Sequence, residues 1–147
     1  MIRAVLDTNV WVSAILSPGN PPAKILELAL TGNMRLIISP VIIREISRVL
    51  QYPKVKKALK KFKITSQEVE DVILKLLKVA LITPGALLAE GASNDPADDL
   101  IIASALEGHA DFIISGDHHL TNLENYQGIK IVDPSTFLAL ITRLDEE

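Results

Sequence analysis

The 147 residues carry 15 Lys and Arg against 18 Asp and Glu, a formal net charge of -3, with 48% hydrophobic residues and no cysteine. That length suits one domain, 1–147, with a sizeable core; no apolar stretch reaches the roughly 20 residues that cross a bilayer, and no secretory leader is visible, so a cytoplasmic chain away from membranes is expected. Disulfides and thiolate chemistry are excluded, and the acidic balance argues against a sequence-independent nucleic-acid coat, though not against an enzyme whose carboxylates hold cations.

The first apolar run, "AVL", ends at Asp7, and Thr8 and Asn9 follow. A surface turn is the plain explanation for an acid at that place. Trp11 and Val12 belong to the helix after it, as core or interface. "RLIIS" at 35–39 is the second strand, and Ser39-Pro40 caps the next helix with proline at its first position. "KVKKALKKFK" from Lys54 to Lys63 is a short helix beyond the break at Pro53. Thr65 and Glu68 form a capping box for a helix over 66–79. "KVALIT" at 78–83 is either a fifth strand or the end of that helix, and 84–94 is expected to be a loop. Asp95-Pro96 opens "DPADDLIIASALEGHA"; "DFIIS" at 111–115 and "IKIVD" at 129–133 are strands, and Asp133-Pro134 caps a last helix. Strands alternating with helices predict an α/β fold with a parallel sheet covered on both faces.

In such sheets ligands bind outside the carboxyl ends of the strands. Asp7 lies just past the first strand, and Asp117, in "SGDHHL", two residues beyond "FIIS". Both therefore emerge on one edge. On the Pro40 helix, 100° steps order Val41, Glu45, Val49, Ile42, Ile46, Leu50 and Ile43 around one side, with Arg44, Ser47 and Arg48 on the other. Glu45 thus falls inside the apolar sector. It either snorkels or pairs with an arginine at the sector's edge, or faces inward for a purpose, and the cost of an isolated buried carboxylate favours the purpose. Asp98 and Asp99 stand in the first turn of a helix apolar nearly all round, where the dipole accounts for one of them; periodicity does not choose between them.

Like charges about 4 Å apart at an effective dielectric of about 20 repel by about 4 kcal/mol per pair. No lysine lies near these motifs, so a cluster of them calls for hard divalent cations, Mg²⁺ or Mn²⁺. Lys54, Lys56, Lys57 and Lys60, in a run with six lysines in ten residues, are either a solvated helix face or an approach for a polyanion. His118 and His119 read as an exposed turn. With 4% aromatics, little base stacking is available.

"LDTNV", the acid in "SPVIIREI", "DPADDLIIASAL" and "FIISGD" together resemble the PIN-domain ribonucleases, and among them the VapC-like toxins of type II toxin–antitoxin systems. The resemblance covers almost the whole chain. It implies a PIN-like three-layer α/β/α sandwich with a central parallel sheet of about five strands, and a divalent-metal site acting on single-stranded RNA. Carried onto this sequence, it makes Asp7, Glu45, Asp98 and Asp117 the catalytic acids, with Asp7, Asp98 and Asp117 holding one or two Mg²⁺ or Mn²⁺ ions. Asp99 is the alternative to Asp98, and Thr8, Asn9 and Ser115 are supporting groups. Apolar helix faces beyond what one sheet needs suggest a homodimer, and an antitoxin partner if the toxin resemblance holds. Competing expectations are a haloacid-dehalogenase-like phosphatase, which usually has a second Asp where Asn9 stands, and a non-catalytic RNA- or partner-binding PIN scaffold.

Overall fold

The computed structural model describes residues 1–85 and 95–146, the side chains of 144–146 excepted. In chain order these form β1 (Arg3–Leu6), α1 (Thr8–Leu16), α2 (Pro21–Leu30), β2 (Arg35–Ile38), α3 (Pro40–Leu50), α4 (Pro53–Lys61), α5 (Ser66–Val79), β3 (Leu81–Ile82), α6 (Pro96–Glu107), β4 (Phe112–Ile114), α7 (His118–Thr121), β5 (Asn125–Tyr126), β6 (Ile129–Val132) and α8 (Pro134–Glu146). Helix starts follow the local chemistry. Ser39 Oγ accepts the Ile42 N–H, Asp95 Oδ1 that of Ala97, and Asp133 Oδ1 that of Thr136. Thr65 and Glu68 close both halves of their capping box. Segment 78–83 is both things the sequence allowed: α5 runs to Val79 and β3 follows at Leu81. The loop expected over 84–94 lies, from 86 onward, outside the described residues.

The described strands form one sheet in the order β3-β2-β1-β4-β6-β5. Five are parallel, and β5 joins the β6 edge antiparallel. At two residues β5 is too short to leave a periodic signal. Burial in unbroken runs shows that both faces are covered. Ala4, Val5 and Leu6 in β1, Leu36, Ile37 and Ile38 in β2, and Ile113 and Ile114 in β4 are each no more than 2% exposed. Alternation would appear if one face met water. The arrangement is the α/β/α sandwich that the resemblance implied. α6 lies against β1, β2 and β4, and its exit at Gly108 is so close to β2 that an added Cβ would stand 2.7 Å from Ile37 Cγ2. Trp11, 1% exposed, is core. No helix among the described residues is long and apolar enough to cross a membrane.

Candidate active site

The chain lays β1, β2 and β3 outward in one direction, then returns to place β4 on the other side of β1. The order therefore reverses between β1 and β4, where the loops leaving the two carboxyl ends part and open a crevice. Leu6 and Ile114 are in register at that end, and the Asp7 N–H continues the ladder onto the Ile114 carbonyl at 2.9 Å. Asp7 is the N-cap residue of α1, yet its carboxylate makes no cap hydrogen bond. Instead Oδ2 accepts from the Ser115 hydroxyl at 2.8 Å, and Ser115 Oγ in turn accepts the N–H of Asp117 at 3.0 Å. One wholly buried hydroxyl thus ties the acids behind β1 and β4 together.

Two helices wall the crevice. The buried hydroxyls of Ser39, at the cap of α3, and Ser104, on α6, hydrogen-bond at 2.9 Å and fix those helices against each other. Between them lies a cleft of about 240 Å³. Asp7, Asp95, Asp98 and Asp117 line it, with Thr8 and Asn9 from the start of α1 and Val41, Glu45, Arg48 and Val49 from α3. Asp98 is only 6% exposed. Glu45 is 34% exposed, and Oε2 accepts a hydrogen bond from Arg48 at 2.7 Å.

Burial raises both deep acids. The Asp98 carboxyl is pushed up to about 6, first by desolvation and then by the like charges of Asp95, Asp117 and Asp7, with His119 pulling the other way. Asp7 is raised by burial, against the stabilising Ser115 hydroxyl and Thr8 N–H, with Asp117 and Asp95 adding to the rise. An all-oxygen set of mutually repelling carboxylates fits a hard divalent cation in its donor chemistry. The side chains are not drawn into one coordination shell: among the described residues no three Asp, Glu or His groups are gathered tightly enough to hold an ion as they stand.

A PIN-domain family model matches residues 3–119. The chain belongs to the PIN-domain family. Members of that family are nucleases and generally use divalent metals. The uncharacterised protein MJ1680 of Methanocaldococcus jannaschii is 33% identical to this PIN domain over 129 residues, which cover 84% of this chain and 76% of that one. In fold this chain is similar to VapBC2 of Rickettsia felis, solved bound to a DNA fragment from their promoter, with a TM-score of 0.58, 17% identity and coverage of 88% of this chain and 97% of that one.

Of the sequence-predicted site residues, this PIN domain brings Asp7, Thr8, Asn9, Glu45, Asp98 and Asp117 to one cleft, with Ser115 directly behind Asp7. Asp99 is half-buried and does not line it. Glu45 combines two of its expected alternatives, pairing with an arginine at the edge of its sector while still facing the cleft. Lys54, Lys56, Lys57 and Lys60 are exposed on α4, and none lines the cleft. Two charged cleft residues escaped the sequence. Asp95 opens its helix as a cap, which suffices to explain it in the sequence, although the i,i+3 spacing to Asp98 puts both on one side of the helix start. Arg48 falls with the polar residues on a helical wheel, but the same spacing from Glu45 bends its long side chain back over the rim. His118 and His119 are exposed, in the single turn of α7.

Proposed function

We propose that this PIN domain is a metal-dependent ribonuclease that hydrolyses phosphodiester bonds of single-stranded RNA, and that it is the toxin of a toxin–antitoxin pair. The observation that carries this is the meeting of Asp7, Glu45, Asp98 and Asp117, from four separate segments, in one cleft at the carboxyl edge of the sheet. Family membership adds nuclease chemistry, and the fold shared with VapBC2 supports the toxin role. The family match leaves the phosphatase alternative without support.

Asp7, Asp98 and Asp117 would hold one or two Mg²⁺ or Mn²⁺ ions. A cation there supplies charge for the oxyanions of an in-line displacement and lowers the pKa of water. The chain's own groups do the rest. Ser115 fixes the rotamer of Asp7 and the backbone entering Asp117, as orienting partners of ligands do. Glu45, part-exposed on the α3 wall, orients the attacking water. Thr8 and Asn9 at the mouth steady the carboxylates and the strand. Lys54, Lys56, Lys57 and Lys60 give RNA a positive approach from α4. An antitoxin and a second copy of this chain are the protein partners, and the groove lined by Ile15, Leu26, Leu30, Ile64 and Val72 offers apolar surface for such contacts.

The test is incubation of a labelled single-stranded RNA with Mn²⁺. Fragments with 5′-phosphate ends are expected, abolished by EDTA and by Asp98→Asn. RNA left intact by the wild-type chain rejects the proposal; tight binding without turnover favours the scaffold alternative.

A further inference from the structure

We propose that Arg48 grips a phosphate of the substrate strand beside the bond being cut, exchanging its partner Glu45 for that phosphate. This rests on the nuclease function proposed above and names the group that makes a polyanion acceptable to the cleft. Five carboxylates among the described residues line it: Asp7, Glu45, Asp95, Asp98 and Asp117. Among the described residues lining it, Arg48 is the one lysine or arginine. A nucleic-acid strand carries a charge at every residue, so the phosphates flanking the scissile one need a positive contact that the acids do not give.

Arg48 is built for that contact. Its side chain is 62% exposed and so reaches the solvent side of the rim. A guanidinium has five N–H donors in a planar fork that matches phosphate oxygens, and here its hydrogen bond goes to Glu45 Oε2 at 2.7 Å. Exposed ion pairs of this kind hold weakly, so a phosphate competes readily for the fork. Glu45 meanwhile keeps Arg48 folded over the cleft until the strand arrives. Val41 and Val49 on α3, with Leu100 opposite on α6, supply apolar wall on either side, leaving the guanidinium as the polar anchor of that rim. The exchange also frees Glu45 from its partner when substrate is present, which couples strand binding to the availability of the acid that orients water.

The experiment compares wild type, Arg48→Ala and Arg48→Lys on two substrates with Mn²⁺: a single-stranded RNA octamer and bis(p-nitrophenyl) phosphate, a diester with no neighbouring phosphate. Octamer binding is measured separately with Ca²⁺ over a range of salt. In Arg48→Ala the ratio of kcat/KM for octamer over small diester is expected to fall about tenfold, mostly through KM. The salt slope of octamer binding should fall by about 0.7, as for one lost phosphate contact on a single strand. Arg48→Lys, which keeps the charge without the fork, should recover the slope and only part of the ratio. An unchanged slope, or equal losses on both substrates, overturns the proposal and makes Arg48 a prop for Glu45. The two proposals fail separately. If wild type cleaves neither substrate while Arg48→Ala still lowers the slope, the nuclease function falls and the anchor stands; if wild type cleaves both and Arg48→Ala changes neither ratio nor slope, only the anchor falls.

Discussion

The β1–β4 strand pair has an aspartate beyond each end, Asp111 at the amino edge and Asp7 at the carboxyl edge. Asp111 is exposed, and its Oδ2 accepts the Arg3 N–H at 2.9 Å, while the Arg3 side chain donates to the Gly108 carbonyl at 3.1 Å. Every contact there closes the local backbone. The groove beside it is larger, about 630 Å³, but Asp111 is its only lining acid among the described residues, and Lys130 lies across from it. Asp7 is 9% exposed, has left its cap position unused, and faces other acids. Cavity size would choose the amino edge. Electrostatic cost chooses the other: buried like charges raise one another's pKa, an arrangement that a fold gains nothing from and a catalytic site needs.

Exchanging the aspartates tests this contrast most severely. Asp7→Asn should remove Mn²⁺-dependent RNA cleavage by more than about 100-fold, beyond what loss of an orienting partner costs, without lowering the melting temperature. Asp111→Asn should leave cleavage within about twofold and cost about 0.5–1.5 kcal/mol of stability. Equal losses of activity in the two variants would erase the distinction between the edges. Gly108→Ala acts at the amino edge through packing alone. Its Cβ would meet Ile37 Cγ2 at 2.7 Å and Cδ1 at 2.8 Å, so the urea midpoint should drop by an amount worth about 1–3 kcal/mol.

A smaller effect is expected for Ser115→Ala, which takes the hydroxyl from Asp7 Oδ2 and from the Asp117 N–H. Metal affinity should weaken roughly 10-fold, measured as the Mn²⁺ concentration for half-maximal cleavage; an unchanged value would mean the hydroxyl serves packing only. The last effect is a pH slope in metal-free protein. Asp98 binds its proton more tightly folded than unfolded, its pKa moving from the ordinary 3.8 to about 6. Between those values the folded chain holds more protons, so stability falls as pH rises through that window and levels above it. Asp7 leans in the same direction. Asp98→Asn should flatten this part of the melting-temperature profile; a slope unaltered in the variant would place its origin elsewhere.

Much of the architecture could be read from local chemistry. The capping box predicted a helix over 66–79, and α5 is Ser66–Val79. The acids closing the first strand and following "FIIS" reached the same edge because a parallel sheet leaves them no other. The two-residue β5 was missed, since a strand of that length has no period and exists only because β6 offers it an edge.

Residue identities alone determined where strands stop and helices start, since caps, prolines and apolar runs act within a few positions of one another. The tertiary structure decided which side of α6 turns inward. That helix is apolar nearly all round, so its own sequence holds no preference between Asp98 and Asp99, and the sheet against which Ile102 and Ala105 are buried makes the choice. It also decided that Asp95 and Arg48, each three residues from a predicted acid, share one cleft with Asp7 and Asp117, which come from distant segments and meet them only when the layers pack.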